Sequence, residues 1–166
     1  TGALVAPDGY YARISQICRE YGILLILDEV MTGAGRTGAF LAAEHWGLEP
    51  DIIALSKGFA AGYAPLGAMV AHRDLVEPVL AAGGFIHGYT YAGNPLACAA
   101  GLAVLEEVDR LDLCGNAREA GEVLKGELVG LKARYPFIGD VRGKGLLIAF
   151  ELVSDAETMT PLPREI

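Results

Sequence analysis

The stretch that decides the fold covers residues 23–57 and reads ILLILDEVMTGAGRTGAFLAAEHWGLEPDIIALSK. It contains two short apolar runs, residues 23–27 and 52–55, whose length and flanking breakers are typical of buried strands in a parallel sheet. Asp28 directly follows the first run, and Lys57 follows the second by two residues. The number of residues between Asp28 and Lys57 is about that of one strand–helix–strand unit, in which both strands point the same way. We therefore expect Asp28 and Lys57 at the same carboxyl edge of the sheet, where open α/β sheets bind ligands.

The composition is that of a globular protein with one sizeable core. Of the 166 residues, 52% are hydrophobic, and the mean hydropathy is +0.36. No apolar run approaches the roughly 20 residues that a membrane helix needs, so we expect no membrane partner. The net charge of −8 and the pI of about 4.8 argue against a nucleic-acid partner, which would require a basic surface.

The cysteines and histidines indicate a reducing compartment and no metal site. Cys18, Cys98 and Cys114 are odd in number and lack motif spacing, which is typical of free thiols in a reducing environment. His45 and His72 show no carboxylate–histidine spacing of the kind that binds metals. Because the start of the sequence also carries no signal or transit pattern, we expect a cytoplasmic protein.

The rest of the chain alternates helical and strand patterns around this stretch. An amphipathic helix capped by Asp8 is predicted before residue 22. Only eight residues separate Lys57 from the apolar run 66–71, which is too short for a crossover, so that run should return antiparallel. Asn94 followed by Pro95 marks the start of a long helix. Further helices are predicted at 40–46, 74–82 and 115–134, and two strands at 137–142 and 146–153.

The loop at residues 33–38, GAGRTG, matches the glycine spacing of a dinucleotide-binding fingerprint. In that fingerprint the glycines join the strand directly, whereas here DEVMT intervenes and brings two carboxylates to the place of a pyrophosphate. The interpretation we prefer is a tight loop, with a nucleotide-binding module using Gly33, Gly35 and Gly38 as the alternative.

Asp28 and Lys57 allow two interpretations from the residues alone. They could form a structural ion pair, because a carboxylate at a buried strand end needs a cationic partner. Alternatively, a partly desolvated Lys57 amine is a nucleophile toward carbonyls, and each residue would bind a different end of one molecule. Pyridoxal 5'-phosphate suits the second case, since its aldehyde joins a lysine and its ring nitrogen pairs with an acid.

Four segments of the sequence resemble the class III aminotransferases. In order they are DEVMTGAGRTG, PDIIALSKGFAAGYAPLGAM, HGYTYAGNPLACAAGLAVLEEV and RGKGLLIAFELV, and together they cover nearly the whole chain. The resemblance implies an α/β fold, part of the three-layer large domain of fold-type-I transferases with a mostly parallel sheet, plus the start of an α+β C-terminal domain. Residues 1–111 would belong to the pyridoxal-phosphate-binding domain and residues 112–166 to the small domain.

The same resemblance implies roles for four residues. Lys57 would bind the aldehyde of pyridoxal phosphate and Asp28 its ring nitrogen, while Val30 would pack against the ring. Thr90 would bind the cofactor phosphate across the interface of a homodimer with a shared active site. Met31 stands where several members have glutamine, which argues against ornithine- or GABA-like substrates.

The activity implied is the transfer of an amino group from an amine or ω-amino acid to a keto acid such as pyruvate. An aminomutase, a racemase or a decarboxylase of the same fold would carry the same motifs. The chain is less than half as long as a typical family member. We therefore expect it to be a fragment that does not transaminate by itself.

Overall fold

The computed structural model describes residues 2–163 as two small sheets joined and covered by four α-helices. The α-helices are α1 Tyr10–Tyr21, α2 Arg73–Ala81, α3 Pro95–Arg110 and α4 Leu113–Arg134. The strands are β1 Ile26–Asp28, β2 Ile52–Leu55, β3 Ala68–Ala71, β4 Ile138–Lys144, β5 Leu147–Asp155 and β6 Thr160–Pro161. Short 3-10 helices span Ala42–Trp46 and Lys57–Ala60.

The first sheet has the order β1-β2-β3 and confirms the predicted strand directions. β1 and β2 are parallel, with Ile26 opposite Ile52 and Asp28 opposite Ala54. β3 returns antiparallel to β2, as the short connection requires. Lys57 lies three residues beyond Ala54, so Asp28 and Lys57 leave the sheet at the same edge.

The prediction of a buried strand at residues 23–27 was wrong in extent and in burial. β1 begins only at Ile26, because its partner β2 begins at Ile52. Before that point the Leu25 N–H donates to Asp51 Oδ2 at 2.7 Å, and the Asp51 N–H donates to the Leu25 carbonyl at 2.9 Å. Ile26 is 60% exposed, so residues 2–163 leave this face of β1 uncovered.

The predicted cap of α1 was also wrong, whereas the cap of α3 is confirmed. Gly9, at φ 79°, occupies the N-cap position of α1 without a side-chain hydrogen bond, so Asp8 does not cap the helix. At α3 the Asn94 side chain accepts from the N–H groups of Leu96 and Ala97, at 3.0 and 3.2 Å. Pro95 follows at the first helical position, where its missing N–H costs nothing.

α4 packs on the β4–β5 hairpin, and both contact the loop that follows β1. A Cβ placed on Gly121 of α4 would lie 2.2 Å from the Gly145 carbonyl oxygen, so helix and turn touch through their backbones. The Leu146 N–H donates to the Arg36 carbonyl at 3.0 Å, and Arg118 Nη1 donates to the Gly38 carbonyl at 2.8 Å. These contacts hold the loop from the second half of the chain. The division into domains at residues 111 and 112 stays a prediction.

Within residues 2–163, no helix has both the length and the apolar character that crossing a membrane requires.

Candidate active site

Asp28 is the last residue of β1 and presents its carboxylate at the edge of the sheet. Its Oδ1 accepts a hydrogen bond from the Val30 N–H at 3.0 Å, which bends the chain immediately after the strand. The side chain is exposed. Among the hydrogen bonds and ion pairs of residues 2–163, none uses its second oxygen. Within residues 2–163, Asp28 therefore has one hydrogen-bonded carboxylate oxygen and one without a hydrogen bond.

Lys57 opens the short 3-10 helix after β2 with a strained backbone. Its φ is +45°, in the left-handed region that residues with a side chain rarely adopt. The preceding Ser56 is fully extended, and its hydroxyl donates to the Leu66 carbonyl at 3.0 Å. Backbone strain of this kind costs about 1–3 kcal/mol and is concentrated at functional sites. The strain at Lys57 therefore supports a functional role for this lysine.

Two glycines pack the loop after β1 against the segment that carries Lys57. A Cβ on Gly33 would lie 2.9 Å from Leu55 Cδ2 and 2.7 Å from the Glu29 carbonyl oxygen, so this position has no room for a side chain. A Cβ on Gly58 would lie 3.2 Å from Ala34 Cβ. This close backbone approach places the lysine beside the loop that begins at Asp28.

The packed loops border a cavity of about 280 Å³ that contains both Val30 and Lys57 in its lining. The other lining residues are Met31, Gly33, Ala34, Gly35, Arg36, Gly58, Val108, Leu113, Asn116, Ala117 and Leu146. A wider cleft of about 1060 Å³ also borders Lys57 and reaches Tyr63 and α3. Lys57 thus lines two cavities, each large enough for a small molecule.

Asp28 borders a different, smaller cavity of about 150 Å³, which it shares with Glu29 and Thr32. The structure therefore places Val30 and Lys57 around one cavity and Asp28 at another, and a hydrogen bond joins Asp28 to Val30. Within the described chain, Asp28 and Lys57 form no ion pair with each other. The structural ion pair is thus not what the geometry shows. Within residues 2–163 the Lys57 side chain is exposed.

Thr90 lies apart from these groups, in the segment that connects α2 to α3. It is exposed, and neither cavity beside Lys57 includes it. Its neighbours Tyr89 and Tyr91 are 79% and 82% exposed. Thr90 therefore shares no cavity with Lys57 among those two, and a phosphate contact from Thr90 stays a prediction.

The glycine loop does not have the geometry of a dinucleotide site. The N–H groups of Gly33, Gly35 and Gly38 donate to the carbonyls of Glu29, Phe40 and Gly35, respectively. A five-residue 3-10 helix follows the loop, so the exposed N–H groups at the start of an α-helix are missing from this position. The loop is the tight structural turn that the sequence analysis preferred.

Cys114 lies beneath this loop. Its Sγ would lie 3.3 Å from a Cβ on Gly35. Burial raises the pKa of the Cys114 thiol, and the nearby carboxylates of Glu44 and Asp112 raise it further. The thiol therefore stays protonated near neutral pH and serves as packing rather than as a nucleophile.

The sequence analysis missed Glu29, which is 3% exposed and directly follows Asp28. Its Oε1 accepts from the Ala43 N–H at 2.8 Å, and its Oε2 accepts from the Thr32 hydroxyl. The available sequence signal was the spacing of Glu29 and Thr32, three residues apart directly after a strand. The Ala43 contact is made only in the folded chain.

The family profile described as "Aminotransferase class-III" matches residues 1–165. The chain belongs to the class III aminotransferases. Its structure superposes on a PLP-bound amine transaminase from an uncultivated Pseudomonas species with a TM-score of 0.93 and 47% identity, covering 97% of this chain and 37% of that one. The architecture is accordingly that of the fold-type-I transaminases.

Class III relatives with different names are similarly close in sequence. The chain is 41% identical to the taurine–pyruvate aminotransferase of Bilophila wadsworthia, over 99% of this chain and 37% of that protein. It is 43% identical to the leucine/methionine racemase of Thermococcus litoralis, over 95% of this chain and 34% of that protein. The chain thus spans little more than a third of the length of the relatives it matches.

The donor groups at the sheet edge fit the cofactor of this family. Lys57 supplies a primary amine for an aldehyde, and Asp28 supplies a carboxylate oxygen for a protonated ring nitrogen. Val30 supplies an apolar surface that lines the lysine's cavity. Pyridoxal phosphate requires an amine, an acid and an apolar contact of this kind, and the first sheet presents all three at one edge.

Proposed function

We propose that the protein containing this chain is an aminotransferase that moves an amino group from an amine or ω-amino acid to a keto acid such as pyruvate. The observation that carries this proposal is the placement of Asp28 and Lys57 at one edge of two parallel strands, with Lys57 and Val30 lining one cavity. The names of the relatives support the amine and ω-amino acid donors, since they include an amine transaminase and a taurine–pyruvate aminotransferase.

Each of the three residues would have a distinct task in this reaction. Lys57 would hold the cofactor through Nζ and, once released, move a proton to and from the substrate carbon that bears nitrogen. Asp28 would keep the ring nitrogen protonated through its available oxygen. Val30 would orient the ring by contact. When bound, pyridoxal phosphate supplies a ring that takes up the electrons released at the substrate carbon.

The test is product analysis with the full-length protein and added pyridoxal phosphate. An amine donor, taurine and β-alanine would each be incubated with pyruvate, and alanine would be measured by chromatography. The proposal expects alanine in stoichiometric amount with the carbonyl product of at least one donor. Cofactor binding without alanine from any donor would contradict it.

A racemase is the second candidate, because the sequence is 43% identical to a leucine/methionine racemase. A racemase inverts the substrate carbon and needs no keto acid acceptor. Incubating L-leucine or L-methionine without pyruvate distinguishes the two. Appearance of the D-enantiomer favours the racemase, and turnover that depends on pyruvate favours the aminotransferase.

We also propose that the protein acts as a homodimer in which Thr90 completes the partner's site. The exposed position of Thr90, away from the cavities beside Lys57, supports this arrangement. Co-expressing a Lys57→Ala chain with a Thr90→Ala chain provides the test. If the site is shared, the mixed dimer contains one intact site and recovers activity that each variant lacks alone. No recovery in verified mixed dimers would contradict the shared site.

Two smaller proposals follow from the chain itself. The 166 residues alone should not transaminate, since they represent little more than a third of the relatives' length. Turnover by this exact chain would contradict that. A cytoplasmic location is supported by Cys18, Cys98 and Cys114, which are all free thiols in the structure. Thiol alkylation in intact cells, followed by fractionation, tests the location.

A further inference from the structure

Glu29 is a buried carboxylate beside two residues of the cofactor edge, and it has no cationic partner. It is 3% exposed, and no Lys, Arg or His within residues 2–163 lies within ion-pair distance of it. Burying a carboxylate is costly unless donors compensate for the lost water. The hydrogen bonds that the Glu29 side chain accepts must therefore offset the cost of burying it.

Glu29 makes four hydrogen bonds, and three separate segments of the chain supply the partners. Its N–H donates to the Ala54 carbonyl of β2 at 2.9 Å, and its own carbonyl accepts from the Gly33 N–H at 2.8 Å. Its carboxylate accepts from the Ala43 N–H at 2.8 Å and from the Thr32 hydroxyl. All of its polar groups are satisfied, and they join β2, the turn after β1 and the 3-10 helix.

These bonds fix the residues on either side of Glu29. Asp28 precedes it and Val30 follows it, and the backbone bonds of Glu29 to Ala54 and Gly33 hold the chain between them. The Val30 N–H also donates to Asp28 Oδ1 at 3.0 Å, which couples the two neighbours. The two carboxylate bonds of Glu29 therefore add to its two backbone bonds in holding the turn that carries Asp28 and Val30.

We propose that Glu29 is a positioning residue of the cofactor site, acting through Asp28 and Val30 rather than by touching the cofactor. This inference rests on the proposed function, because it assumes that Asp28 and Val30 contact pyridoxal phosphate. Thr32 allows a smaller change than Glu29 does, because substituting it removes one hydroxyl donor and leaves the buried carboxylate in place.

The experiment measures pyridoxal phosphate affinity of the full-length apoprotein by absorbance titration, together with its melting temperature. Glu29→Ala removes the carboxylate and should weaken cofactor affinity about tenfold or more, because the Ala43 and Thr32 donors are left without their acceptor. Thr32→Val should weaken affinity less, and Thr32→Ser, which keeps the hydroxyl, should restore it. The threonine pair keeps the test decisive if Glu29→Ala does not fold.

Glu44→Gln is the matched control for this series. Glu44 Oε1 accepts from the Leu41 N–H at 2.8 Å, so it binds the same 3-10 helix as Glu29. It is exposed, and this hydrogen bond goes to Leu41 and not to the turn after β1. Its substitution should leave cofactor affinity within about twofold of the natural protein.

The outcomes separate this inference from the proposed function. If the natural protein binds no pyridoxal phosphate, both are overturned. If it binds, and Glu29→Ala and Thr32→Val lower only the melting temperature with affinity unchanged, Glu29 is a purely structural anchor and the inference is overturned. Weaker affinity in both variants, recovered by Thr32→Ser, supports it.

Discussion

The edge of the first sheet and the β4–β5 hairpin differ in whether their charged side chains form ion pairs. In the hairpin, Arg142 Nη1 contacts Asp140 Oδ2 at 2.8 Å and Glu151 Oε2 at 2.7 Å, so opposite charges neutralise one another. At the sheet edge, Asp28 and Lys57 form no ion pair within residues 2–163. The three hairpin charges are therefore paired within the described residues, whereas Asp28 and Lys57 are not.

The backbone shows the same contrast at the two lysines that can be compared. Lys57 lies in a left-handed conformation beside two cavities. Lys125 lies in the middle of α4, and its Nζ donates to the Gly143 carbonyl at 3.4 Å. Lys57 therefore combines a left-handed backbone with a side chain that makes no ion pair within residues 2–163, which supports a functional role.

The comparison is tested most severely by Lys57→Ala. The account expects the full-length enzyme to lose transamination on the order of 10⁴-fold, because the residue that moves the proton is removed. Lys125→Ala, the control in the hairpin region, should keep turnover near that of the natural protein. Steady-state kinetics with pyruvate measures both, and similar losses in the two variants would contradict the distinction.

The second largest effect is expected from Asp28, and Asp140 of the hairpin provides the control. Asp28→Asn should lower kcat by roughly 10²–10³-fold, because the amide cannot keep a ring nitrogen protonated. Asp140→Asn removes the same charge from the hairpin and should leave kcat unchanged. Rate measurements with saturating cofactor check this, and an active Asp28→Asn enzyme would refute the assignment of Asp28.

A glycine pair in α4 tests whether this helix packs on the β4–β5 hairpin by close backbone contact. Gly121→Ala should destabilise the protein by about 1–3 kcal/mol, since its Cβ would lie 2.2 Å from the Gly145 carbonyl oxygen. Gly126, in the same helix, has nothing within 4 Å of its would-be Cβ. Gly126→Ala should therefore stabilise by roughly 0.5–1 kcal/mol. Denaturant unfolding measures the two, and equal effects would argue against the contact.

The smallest effect concerns pH. The hydrogen bond from Arg142 lowers the pKa of Asp140 below its ordinary value. A lowered folded-state pKa gives stability that is present above about pH 4, the unfolded value, and is lost as the pH falls through the folded one. Arg142→Met should therefore flatten the fall in melting temperature between pH 5 and pH 3.

The control for the pH experiment is Arg73→Met. Arg73 Nη1 lies 3.8 Å from Glu77 in an exposed pair, which contributes little. Its acid profile should match that of the natural protein. If the melting temperature of Arg142→Met falls with pH as steeply as that of the natural protein, the hairpin pair does not set the pH dependence. Adding 1 M salt should reduce any difference between the two proteins.

The sequence was sufficient for the parts of the site that depend on strand direction. The spacing of Asp28 and Lys57 predicted a parallel pair, and the short link after Lys57 predicted the antiparallel β3. Both follow from chain length, because a crossover needs room for a helix. The cap at Asn94 could also be predicted, because it involves only residues that are neighbours in the sequence.

The features that the sequence did not reveal depend on contacts between distant segments. Glu29 reaches Ala43 only because the intervening loop folds back. The exposure of Ile26 depends on what covers the sheet, and an apolar run alone indicates burial. The place of Thr90 relative to Lys57 likewise depends on groups beyond its own segment.

The central claim is that Lys57 is the amine that binds pyridoxal phosphate. The most direct measurement is borohydride reduction of the full-length protein loaded with the cofactor, followed by peptide mass spectrometry. The account predicts one reduced pyridoxyl group, on Lys57, and its loss in Lys57→Ala. A label on another lysine, or no label in a protein that transaminates, would contradict it.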